Sequence, residues 1–210
     1  MEMHPINNNK IEYLRSKAIT GAIKYKQYLI DKDFCVICED YSEYIVRFYA
    51  NDFKHLTGII SNLSNGDFFN NCCNLTLSNG NIDSIQKYNW QTLRNKAMRI
   101  ENIEKIMYGN SQNSLFLVNL HTNTATFPFA IRNSDADMCI GFTTENNKAR
   151  TLRKYSSSND ADIEKEIIAI FAKDSNIEKY SEKVFLKKDV NLKDRQEITI
   201  KLSDDLNNII

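Results

Sequence analysis

The chain is poor in glycine and proline, with six and two in 210 residues. So few glycines leave little for phosphate cradles, and neither a P-loop nor a G-x-G-x-x-G run is present. The G-x-S-x-G elbow and the H-E-x-x-H zinc helix are missing as well. There is no excess of either charge: 27 Lys and Arg balance 27 Asp and Glu. That removes any global nucleic-acid signal. No apolar run approaches the roughly 18 residues that cross a bilayer. The start, Met1-Glu2-Met3-His4-Pro5, lacks a basic region followed by an apolar stretch. A cytoplasmic protein with no membrane contact is therefore expected.

Cysteines are five and odd in number, which argues against a disulfide framework. Cys35 and Cys38 fall in a predicted strand, whose alternation puts them on opposite faces, where they cannot share one ion. No second pair stands at zinc spacing. The carboxylates are not grouped as a Mg²⁺ nuclease would need. Neither a metal nor another cofactor is expected.

What is present is an ordinary globular composition, 42% hydrophobic and 26% charged, long enough to bury a core. Ile11, Leu14, Ala18, Ala22, Tyr25 and Leu29 predict a helix over 8–30. Strands follow at about 34–39 and 43–50, joined by Asp40-Tyr41-Ser42. Asn51 and Asp52 are N-cap types before a helix over 53–63. A short helix over 67–74, a turn at 78–81 and one or two helical turns over 82–88 come next. A longer helix over 90–107 is closed by Gly109 as a left-handed stop.

The period then changes to two. Strands are predicted at 115–120 and 124–131, around the turn His121-Thr122-Asn123, and at 138–143 and 149–155. Pro128 places its strand at an edge or a bulge. Asn159-Asp160 predicts the start of a helix over 161–173, with Ile163, Ile167, Ile170 and Phe171 inward. Late strands are predicted at 179–187 and 198–202, and the last eight residues are expected to fray. The fold class is α+β: N-terminal helices and a hairpin, then an antiparallel sheet of about four strands. Residues 1–190 form one domain, and 191–210 a partly frayed C-terminal extension.

Two local basic patches stand out against the neutral whole. One spans 85–110, with Lys87, Arg94, Lys96, Arg99 and Lys105; the other spans 148–154, with Lys148, Arg150, Arg153 and Lys154. Cleaving RNA without a metal needs a proton acceptor for the 2′-hydroxyl, a proton donor for the leaving 5′-oxygen, and a cation on the phosphorane. Histidine suits proton transfer near neutrality, and arginine or lysine suits the phosphate. His55, one of three histidines, lies on the predicted helix at the border between core and surface. Lys96 or Arg99, Arg150, and Thr143 or Ser156 complete a possible set. Thr57, Arg99, Arg153 and Ser156 are the expected substrate contacts. Each also has a plainer reading as a solvated or packing residue.

Several stretches together resemble the fourth group of phage Barnase–EndoU–Colicin–RelE-like nuclease domains. They are Phe53-Lys54-His55-Leu56-Thr57-Gly58 after a strand through Ile45 and Phe48, then Phe68-Phe69, and the basic Leu93-Arg94-Asn95-Lys96. Cys139-Ile140-Gly141-Phe142, Thr151-Leu152, Ile167 to Phe171, and Tyr180-Ser181-Glu182 fit the same pattern. The resemblance covers roughly residues 10–187. It implies helices followed by a four-stranded antiparallel sheet, and metal-independent RNA cleavage by transesterification. His55 would be the general base or acid, and Lys96 the second motif position. Arg150 and Thr143 are added on position and chemistry alone. A proline is expected shortly before Thr151-Leu152, where Ala149-Arg150 stands instead. RNA is then the partner, with an antitoxin or a host protein as a further one. The competing reading is a non-catalytic phage or bacterial protein that inhibits a host protein through a surface such as the acidic 159–210 segment. The sequence gives no sign of oligomeric state.

Overall fold

The computed structural model describes residues 3–123, 125–145, 147–157, 160–208 and 210. In chain order its elements begin with β1 (His4–Pro5), α1 (Asn8–Tyr28), β2 (Lys32–Cys38) and β3 (Glu43–Arg47). Next come α2 (Ala50–Thr57), α3 (Asn65–Cys73), β4 (Ile85–Gln86), α4 (Trp90–Ile100) and α5 (Lys105–Tyr108). Then follow β5 (Ser114–His121), β6 (Thr126–Asn133), β7 (Met138–Phe142), β8 (Ala149–Lys154) and β9 (Ala161–Asp174). The chain ends with β10 (Glu182–Leu186), α6 (Gln196–Thr199) and α7 (Asp204–Asn207).

The main sheet has eight strands, all antiparallel, in the order β3-β2-β9-β5-β6-β7-β8, with β10 also paired to β9. The expected sheet of about four strands is therefore too small. The difference lies in residues 161–173, expected as a helix and folded as the 14-residue strand β9. This strand joins the β2–β3 hairpin to the β5–β8 meander, so two separate units become one sheet.

Ile167 and Ile170 share a core at the three-residue spacing of a helix because of a bulge. The register runs Ile37↔Ala169 and then Cys38↔Ile167, which leaves Ile168 as the extra residue and resets the alternation. Phe171, taken with them as one stripe, packs on the opposite face. The run Ile167 to Ala172 is buried on both faces, and periodicity alone does not separate such a run from a buried helix. Of the expected cap, Asn159 lies outside the described residues.

The sheet curls until its ends meet. Arg47 of β3 bridges Lys148 beside β8, and its backbone N–H donates to the Asn147 carbonyl at 3.2 Å. Inside the curl Tyr44 stacks on Phe116 at 3.8 Å between centroids, and Phe116, Phe129 and Phe142 continue the stack. Helices α1 to α5 close one apolar core against this face. On the other face Leu192, Ile198, Leu202, Leu206 and Ile210 pack on Cys35, Ile37, Ile168 and Phe171. The tail expected to fray thus contributes buried leucines and isoleucines, and Ser203 caps α7 through the Leu206 N–H. Cys35 and Cys38 do point into different cores, as alternation requires.

Other boundaries move for local reasons. Helix α2 stops at Thr57, not near 63, because Gly58 adopts φ 72° at its C-cap. Asn51 and Asp52 fall inside its first turn, since Tyr49 is the N-cap. The segment 82–88, expected as helical turns, holds the short strand β4 paired to β1. The helix from Trp90 breaks at 101–104, and Gly109 has φ −74°, so it makes no left-handed stop. Pro128 lies in an interior strand, but beyond the last β6–β7 pair, Phe129↔Phe142, where its missing N–H costs nothing on that side. The late segment 198–202 is not a strand: α6 fills part of it, and a single bridge joins Tyr180 to Leu202.

Candidate active site

Helix α2 carries the first group. Asp52 and His55 are three residues apart, so they share one side of it. Asp52 is 6% exposed and its Oδ2 has no hydrogen-bond partner. His55 is on the exposed flank, where Asn65 Nδ2 of α3 lies 3.2 Å from its Nε2. That contact orients the ring and selects its tautomer. Arg150 stands on β8, against which α2 packs, and its charge acts on both. The register passes from Gly141↔Thr151 to Phe142↔Ala149, leaving Arg150 as the unpaired residue of a β-bulge. Bulges re-aim a side chain out of the regular alternation. The bulge occupies the position where a proline was expected.

The electrostatics tie these groups together. Burial pushes the His55 imidazole below its ordinary value, and the Arg150 and Lys54 cations push the same way. Burial lifts the Asp52 carboxyl above the usual carboxylate range, opposed by Lys148 and Arg150. His55 is thus biased towards the neutral form that accepts a proton, beside an arginine that can hold an oxyanion.

A second group lies along β8, an edge strand of the sheet. Lys96 of α4 donates from Nζ to the Leu152 carbonyl at 2.7 Å, which satisfies one edge acceptor. Its stem runs over Gly58, where an added Cβ would stand 2.8 Å from the Lys96 Cδ. Burial, with Arg153 and Arg99 nearby, pushes the Lys96 amine down to about 8. Between α4 and β8 opens a cleft of about 500 Å³ that Lys96, Arg99, Arg153 and Lys154 line. The two basic patches, some fifty residues apart in sequence, meet there.

The expected residues thus divide. His55 lies within the electrostatic reach of Arg150, while Lys96, Arg99 and Arg153 gather at the cleft. Arg99 is 8% exposed and committed: it pairs with Asp137 and donates to the Asn95 carbonyl at 2.6 Å. Thr57 is buried and ends α2, its hydroxyl donating to the Lys54 carbonyl at 2.7 Å and accepting from the Ile59 N–H at 3.1 Å. Thr143 sits in the β7–β8 turn and donates to the Glu145 carbonyl at 3.1 Å. Ser156 is exposed in a single turn after β8. His121 is held by Thr126 at 3.1 Å and Asp162 at 2.8 Å. Sequence reasoning missed Asp52, Lys148 and Asn65. The signal for Asp52 was its three-residue spacing from His55, hidden because it read as a cap.

Among the described residues no three of His, Cys, Asp and Glu are grouped to hold a metal ion, and no helix is long and apolar enough to cross a membrane.

The class of the protein comes from comparison with known families: it is a nuclease-family chain. Residues 19–189 match PBECR4, the phage-Barnase-EndoU-ColicinE5/D-RelE like nuclease4 family, and the chain belongs to it. Comparison with curated proteins and with solved structures found no match.

Proposed function

We propose that this nuclease-family chain is an endoribonuclease that opens RNA by transesterification without a metal ion, in the setting of a toxin or a phage–host conflict factor. The observation that carries the reading is His55, held by Asn65 on the helix that packs against β8, with the Arg150 cation of that strand near enough to act on its charge. His55 Nε2, which accepts from Asn65 Nδ2 and carries the neutral ring's lone pair, exchanges that contact for the 2′-hydroxyl and takes its proton. The 2′-oxygen then bonds to the adjacent phosphorus, and the bond to the 5′-oxygen breaks. The leaving 5′-oxygen takes a proton from water at this exposed face, His55 returns its own to solvent, and the products carry a 2′,3′-cyclic phosphate and a 5′-hydroxyl. Arg150 neutralises the charge that grows on the phosphorane. Asp52 balances Arg150 from beneath and is a positioning residue.

The reading is tested by incubating the protein with total RNA in a chelator. Fragments are expected, and an intact RNA pool across a panel of bacterial RNAs would count against it. The pH dependence follows from the site. Burial, and after it the Arg150 and Lys54 cations, disfavours the protonated form of His55, so the base stays competent below the ordinary imidazole value of about 6.5. The acid limb of kcat/KM is expected below that value, and Arg150→Gln should move it upward by removing one of those cations. A limb that stays fixed in Arg150→Gln would separate the two groups.

A further inference from the structure

We propose that the cleft between α4 and β8 binds a nucleotide adjoining the scissile one, its phosphate among Lys96, Arg153 and Lys154 and its base against Tyr88. This rests on the reading of the His55 face as the cleavage centre. Among the described residues the cleft is lined by four cations and by no aspartate or glutamate. Arg99 is spent on Asp137 and on the Asn95 carbonyl, so it supplies field and not contact. Lys96 donates to one carbonyl, and an ammonium has three N–H groups, so it can serve an anion too. Burial first, and the Arg153 and Arg99 cations after it, disfavour the charged Lys96 amine, and a phosphate bound among them offsets that cost.

Tyr88 offers a partly buried ring with Lys96 5.8 Å and Lys87 5.6 Å from its centroid. Stacking on such a ring suits any base. Thr92, Asn95 and Asn123 supply polar groups for base edges. The volume of about 500 Å³ falls within the usual range for small-molecule sites. Arg150 and Arg153 stand three residues apart on β8, roughly 10 Å along the strand, so one short stretch of RNA reaches both. In the adjoining hollow Asp135 and Asp137 join the lining, and the favourable path for phosphates ends there.

The test is equilibrium binding of uncleavable 2′-O-methyl oligonucleotides of one to four nucleotides, run beside cleavage of the matching RNA. Affinity is expected to rise about tenfold as the cleft fills. Lys154→Ala, at an exposed position, and Tyr88→Leu should each remove most of that gain. Affinity that does not rise with length, or a rise that Lys154→Ala leaves intact, overturns the subsite. A length-dependent gain lost in Lys154→Ala, without cleavage by the unaltered protein, keeps the subsite and removes the cleavage reading.

Discussion

Replacing His55 by alanine is expected to lower RNA cleavage by about 10²–10⁴-fold, the usual contribution of a positioned acid–base group. The fold should be unaffected, because the ring lies on the exposed flank of α2 and contacts Asn65 at its edge. Circular dichroism and the melting temperature should therefore match the unaltered protein while kcat falls. Arg150→Ala should also lower kcat, since its cation serves the transition state more than the ground state. A His55→Ala protein that keeps more than a tenth of the rate would take the imidazole out of proton transfer. The cleft at Lys96 would then become the place to look.

The second large effect concerns the frame. Phe171→Ala should destabilise the protein by about 3–5 kcal/mol, as for other truncations of a buried phenylalanine. Phe171 is fully buried in β9, between β2 and β10, in the core that the C-terminal segment closes. Urea unfolding reads the change as a fall in midpoint at unchanged slope. A cost below about 1 kcal/mol would mean that this face of the sheet collapses readily around the gap or is covered only loosely.

β9 also shows where the sequence stops being readable. Its first half, Ala161 to Glu166, is polar and partly exposed, and its second half is a continuous apolar run. The bulge at Ile168 then produces a spacing of three between Ile167 and Ile170, which imitates a helix. Nothing local distinguishes the two; the partner strands decide. By contrast α1, 21 residues long, is legible because its buried positions from Ile11 to Tyr25 keep helical spacing. The β2–β3 hairpin is legible because only a short polar link separates its two runs.

The site was legible in part for similar reasons. His55 is rare and lies on a recognisable helix, so chemistry alone points to it. Arg150 could be named from its charge, but its orientation depends on a bulge that only the pairing with β7 reveals. Thr57 looked like a substrate contact because hydroxyls bind phosphate. Its hydroxyl is instead used in ending α2, as the adjacent Gly58 could have signalled. Lys96 and Arg153 needed the fold to bring α4 and β8 side by side. Asp52 needed burial, which the sequence does not display at a helix start.

The most direct measurement is the chemistry of the cut ends, taken with an RNA that the protein cleaves and the same strand carrying a single 2′-deoxy residue on the 5′ side of the cut. Transesterification predicts a 2′,3′-cyclic phosphate and a 5′-hydroxyl by mass spectrometry, in chelator, with no cut at the deoxy position. A 5′-phosphate on the product, or unhindered cleavage of the deoxy strand, would contradict attack by the 2′-hydroxyl and with it the role given to His55.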